Sequence, residues 1–111
     1  MENKDLYPKI TPALAKERAD LAPETMAAWR KFSEQVFKEG ELSEKTKQLI
    51  AVAVAHVTQC PYCIRGHTTQ ALRKGATKAQ VMEAIWVASE MRSGAAYAHS
   101  ILAVDEMSKS K

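Results

Sequence analysis

LIAVAVAHVTQCPYC, residues 49–63, decides the fold: its first nine residues read either as a buried strand or as a buried helix, and its last six carry both cysteines of the chain. Alternating Val and Ala does not by itself separate the two periods. The flanks do. Ser43 stands where an N-cap is needed for a helix running to about Thr58. Pro61 suits the first turn of a following helix, where its missing N–H costs nothing. LIAVAVAHV is apolar all round, which predicts a helix buried on all sides.

Outward from this stretch the other segments also read as helices. Ala occurs 18 times and Gly and Pro four times each, with Pro8, Pro12 and Pro23 ahead of the first long amphipathic segment. Pro8 and Pro12 push their preceding residues out of the helical region, so residues 1–12 form an extended arm. Residues 13–20 make a short helix. Met26, Trp29, Phe32, Val36 and Phe37 recur at helical steps after Pro23, and Gly40 supplies the stop. The helix begun by Pro61 ends at Gly75, after Arg73 and Lys74. Thr77 and Gln80 form a capping box ahead of an apolar face of Val81, Ala84, Ile85, Ala88 and Met91. Gly94 either kinks that helix or separates it from a last one over residues 95–107. The expected fold is all-α, about six helices in one domain over residues 13–107, with a frayed tail at 108–111.

Composition narrows the function classes. The chain has 111 residues, room for one modest core. Its net charge of +3 is spread along the sequence without a block of like charges, so no nucleic-acid partner is expected. No apolar run reaches the length of a membrane span, and the first twenty residues are polar and charged, unlike a signal peptide. The expectation is a cytoplasmic protein without a membrane partner. The seven apolar residues from Leu49 to Ala55 and the 46 % hydrophobic content exceed what one small core hides, which predicts a homo-oligomer. Ser93, Gly94, Ala95, Ala96 and Ala98 would let helices approach closely.

Cys60 and Cys63 are the chemistry-bearing pair. At the N-terminal edge of a helix a sulfur faces unpaired backbone N–H groups and the positive end of the helix dipole, both of which stabilise a thiolate. Cys63, three residues on, is in reach for a disulfide. His67, four residues past Cys63, shares its helical face and can exchange a proton with it. Two other uses compete. Core filling leaves the proline after Cys60 and the histidine at +4 unexplained. A zinc site could draw on Cys60, Cys63, His67 and His56, but small zinc modules separate their ligand pairs more widely than these twelve residues allow.

The letters CPYC are those of the glutaredoxin active site. That family also needs a later proline loop and a sheet, whereas no proline follows Pro61 and residues 64–107 offer helix signals instead. From Leu42 to Ser100 the chain more fully resembles the alkyl hydroperoxidase D-like core of the carboxymuconolactone decarboxylase superfamily. The stretch is LSEKTKQLIAVAVAHVTQCPYCIRGHTTQALRKGATKAQVMEAIWVASEMRSGAAYAHS, and its specific element is the CxxCxxxH of Cys60, Cys63 and His67. The resemblance implies an all-helical fold assembled as a trimer or hexamer. It also implies a peroxide-reducing dithiol, with Cys63 attacking a hydroperoxide, Cys60 closing the disulfide and His67 relaying protons. A separate dithiol protein would be the reductant, and no cofactor or metal is called for. The decarboxylase branch of the superfamily works without a cysteine pair, so CPYC argues against that branch.

One position departs from the pattern. The relay glutamate of the family, about twelve residues before the first cysteine, is Gln48 here, and an amide cannot take up a proton. Glu44, one turn earlier, and Glu83 and Glu90 are further candidate acids, each weighed against a role as a solvated surface carboxylate. His56, four residues before Cys60, is a secondary candidate. His99 reads as a packing or subunit-contact residue. Without the glutamate, a dithiol sensor or binding module that cycles its disulfide without turnover is the alternative to a peroxidase, with a structural zinc module as a third reading.

Overall fold

The computed structural model describes residues 6–110, in which five α-helices and no strand are found. They are α1 (Pro12–Leu21), α2 (Pro23–Phe37), α3 (Glu44–Thr58), α4 (Pro61–Arg73) and α5 (Lys78–Lys109). The chain divides after Gly40 into two units.

In the first unit, Thr11 is extended and caps α1, its hydroxyl accepting from Leu14 N–H at 3.2 Å. The residue before a proline is kept out of the helical region, and Thr11 turns that restriction into a cap. Of the arm, residues 6–11 lie outside any helix and are exposed; residues 1–5 fall outside the described residues. Pro23 opens α2 at the expected place. Gly40 is not its stop, because the chain already turns extended at Lys38, two residues earlier. Trp29 and Phe32 stack at 5.8 Å between ring centroids on the outside of α2.

The second unit is built on α3, which packs against both α4 and α5. Its core is small: Val52, Ala71, Ala76 and Val81 are buried, with Leu49 and Ile85 packed against them. Ser43 caps α3 through a 3.1 Å bond from Thr46 N–H. Thr77 and Gln80 exchange both capping-box bonds at 3.0 Å to start α5. Gly75 takes a φ of 96° after α4, a conformation that favours glycine.

Four expectations are corrected here. LIAVAVAHV is helical but not buried all round. Val52 and Ala55 are inside, while Ile50, Val54 and Val57 are close to half exposed, because the unit covers only one side of α3. Gly94 does not end a helix: α5 runs through it for 32 residues, about 48 Å, so five helices stand where about six were expected. One glycine inside a helix costs only about 1 kcal/mol against alanine, too little to break a helix this long. The same helix continues past Met107, so Ser108 and Lys109, expected to fray, are helical. Met91, expected on the apolar inner face, is 61 % exposed.

Large apolar side chains remain uncovered along α5, including Trp86, Tyr97, Ile101 and Leu102, each more than 60 % exposed. No helix among the described residues is long and apolar enough to cross a membrane.

Candidate functional site

The turn between α3 and α4 places the cysteines. Gln59 closes α3 in the left-handed conformation (φ 57°, ψ 49°), and its N–H and that of Cys60 both reach Ala55 O. For a residue with a Cβ this conformation costs about 1–2 kcal/mol, and such local strain recurs at functional sites. The reversal leaves Cys60 as the N-cap of α4, with Pro61 as its first helical residue. Sulfur here does what a serine or aspartate oxygen does in most caps. Cys60 Sγ accepts the N–H of Cys63 at 3.2 Å.

Cys60 and Cys63 are joined as a disulfide across a Cα–Cα distance of 5.2 Å, inside the range such bridges need. Both residues are partly exposed. Once reduced, Cys60 Sγ sits against the orphan N–H groups and the positive end of α4, an arrangement that stabilises a thiolate.

His67 stands one turn after Cys63 on the same face of α4. Its Nδ1–H donates to Gln48 Oε1 at 2.8 Å, across nineteen residues of sequence. Gln48 is the one buried polar residue among the described residues, 7 % exposed, and it reaches His67 from the first half of α3. Because the amide oxygen only accepts, the bond fixes the imidazole tautomer and leaves Nε2 as the basic nitrogen. A glutamate in this position could take the Nδ1 proton; the glutamine orients the ring and goes no further.

The other candidates lie elsewhere. Glu44 pairs with Lys74 at 2.8 Å in a partly exposed bridge between the start of α3 and the end of α4. Glu83, Glu90 and His99 are exposed on α5. His56 is half-buried and its Nδ1–H donates to Val52 O at 2.7 Å. Among the described residues no three His, Cys, Asp or Glu side chains gather as a metal site.

Arg92 was missed by the sequence reading. Its Nη1 donates to Val57 O at 3.1 Å, tying α5 to the last turn of α3 just ahead of the cysteines. The signal for it was present: Arg92 continues the stripe of Val81, Ile85 and Ala88 by four residues, so it leaves α5 on the side that faces α3.

A carboxymuconolactone decarboxylase family model matches residues 23–106. Among curated proteins, the chain is 57 % identical over 93 residues to an uncharacterized protein of the cox locus of Paracoccus denitrificans, covering 84 % of this chain and 83 % of that one. It is 39 % identical over 83 residues to an uncharacterized protein of Cupriavidus necator, covering 73 % and 74 %. A crystal structure from Methanobacterium thermoautotrophicum matches with a TM-score of 0.75 at 33 % identity, over 81 % of this chain and 98 % of that one. An apo carboxymuconolactone decarboxylase family protein from Legionella pneumophila matches with a TM-score of 0.65 at 37 % identity, over 71 % and 70 %. The helical arrangement, the CxxC pair and these matches agree, and the chain belongs to the carboxymuconolactone decarboxylase family.

Proposed function

We propose that this protein is a dithiol oxidoreductase that reduces hydroperoxides. The observation that carries the reading is the Cys60–Cys63 disulfide at the head of α4, one turn from an imidazole whose tautomer is set by Gln48. In the reduced protein His67 Nε2 takes the proton of the Cys63 thiol. The thiolate attacks the outer oxygen of a hydroperoxide, the O–O bond breaks, and the imidazolium returns its proton to the departing alkoxide. The products are an alcohol and a Cys63 sulfenic acid. Cys60 then attacks that sulfur, releasing water and forming the disulfide. An external dithiol protein supplies two electrons and two protons to reopen it. No cofactor enters the cycle.

Cys60 favours this division of labour. As a thiolate it is stabilised by its capping bond and the α4 dipole, which suits it both to attack the sulfenic acid and to leave when the disulfide is reduced. Exposed apolar side chains along α5 support assembly as a homotrimer or homohexamer.

The test is peroxide consumption with tert-butyl hydroperoxide and excess dithiothreitol. Many turnovers per chain are expected, and none for Cys63→Ser; unchanged turnover in that variant would remove the mechanism. One observation favours a second reading. Gln48 cannot take up a proton from His67, and a redox sensor that oxidises once per chain does not need that transfer. Stoichiometric oxidation without turnover in the same assay would select the sensor.

A further inference from the structure

A cleft of about 310 Å³ lies beside the turn that carries the cysteines, lined by His56, Gln59, Ile85, Ala88, Ser89 and Arg92. Gln59 directly precedes Cys60 in the chain, and the bond from Arg92 to Val57 O holds α5 against the same turn. The cleft's lining is chemically one-sided. It contains a permanent cation and no acidic residue.

Three polar side chains have capacity to spare. Arg92 spends one N–H on Val57 O, leaving the rest of its planar fork for an acceptor. Ser89 Oγ makes no hydrogen bond among the described residues and can donate. His56 has Nδ1 committed to Val52 O, so Nε2 is the nitrogen available to a ligand. Beside Ser89 and Arg92 on the same helix, Ile85 and Ala88 give an apolar surface.

We propose that this cleft binds the carboxylate of a short organic acid, with the guanidinium of Arg92 and the hydroxyl of Ser89 on the carboxylate and the alkyl chain against Ile85 and Ala88. The volume is at the small end for ligand sites, which limits the ligand to a few carbons. Resting on the dithiol reading above, the inference names the substrate class: hydroperoxides of short acids, held by their acid group next to the turn that presents Cys60 and Cys63.

The test measures binding without turnover, on the full chain in its disulfide form, so that it stands whether or not the protein consumes peroxide. Isovalerate and its uncharged counterpart isovaleramide are titrated while amide and imidazole resonances are followed by NMR. Isovalerate is expected to shift His56, Gln59 and Ser89, and to bind about tenfold more tightly than the amide, the difference made by one charge-assisted hydrogen-bond pair. Arg92→Gln should erase that preference and Arg92→Lys should restore part of it. Ser89→Leu, which fills the cleft and leaves Arg92 in place, should weaken isovalerate about tenfold or more. Equal binding of acid and amide, shifts confined to other residues, or an unaltered preference in Arg92→Gln would each overturn the proposal. If isovalerate binds as expected and peroxide is not consumed, the cleft stands and the peroxidase reading falls.

Discussion

Replacing Gln48 by glutamate should make the protein a faster peroxidase. The wild-type amide oxygen lies 2.8 Å from His67 Nδ1 and is 7 % exposed, so a carboxylate there accepts the same N–H in a poorly hydrated place. A hydrogen bond to a charged partner contributes about 1.5–3 kcal/mol, against about 0.5–1.5 for a neutral pair. The carboxylate's own charge acts in both states of His67; when the ring becomes an imidazolium, as Cys63 gives up its proton, the second charge adds roughly a further 1–2 kcal/mol. At about 1.4 kcal/mol per tenfold, the rate of a step limited by that transfer rises about 5- to 30-fold. The assay is initial tert-butyl hydroperoxide consumption at neutral pH with saturating dithiothreitol, on wild type, Gln48→Glu and Gln48→Leu, each checked for two titratable thiols. Burying the carboxylate should also lower the melting temperature, which separates a gain in rate from a general gain in stability. A Gln48→Glu protein no faster than wild type, or a Gln48→Leu protein equal to both, would refute the role given to this contact.

Cys60→Ser should complete one oxidation and stop, with the Cys63 sulfenic acid trapped by dimedone and seen as a mass adduct; an undiminished cycle would show that Cys60 does not resolve. Thr77→Ala removes the side-chain half of the capping box on α5 and should cost about 1 kcal/mol, read as a fall in melting temperature of about 4–8 °C. Sedimentation at micromolar concentration should give a species larger than one chain, and Trp86→Lys, a charge placed on the exposed apolar side of α5, should shift it toward the monomer. A wild-type monomer would contradict the assembly.

Helix starts were the most legible part of the fold, because a cap is chemistry between neighbours. Ser43 with Thr46, Pro61 after Cys60, and Thr77 with Gln80 each lie within four residues of one another. Helix stops were less so: Gly40 and Gly94 are both glycines with a helix-stopping look, yet one comes after the helix has already ended and the other is carried through. The penalty for a single glycine is small beside the hydrogen bonds of a long helix. Burial was hardest to see. LIAVAVAHV is uniformly apolar, and which of its residues face α4 and α5 depends on packing that no local pattern states. Likewise the CxxCxxxH spacing places Cys60, Cys63 and His67, whereas the Gln48 contact and the tether from Arg92 to Val57 O join residues nineteen and thirty-five positions apart. Such contacts exist only once the helices have docked.

Counting thiols is the most direct test of the central claim, that Cys60 and Cys63 pass reversibly between dithiol and disulfide at the expense of a hydroperoxide. The reduced chain, which holds two cysteines, is mixed with one equivalent of tert-butyl hydroperoxide and its thiols are titrated. The account predicts that both disappear together, that the mass falls by two hydrogens, and that dithiothreitol restores both. Two thiols still reacting after the peroxide is added would contradict it.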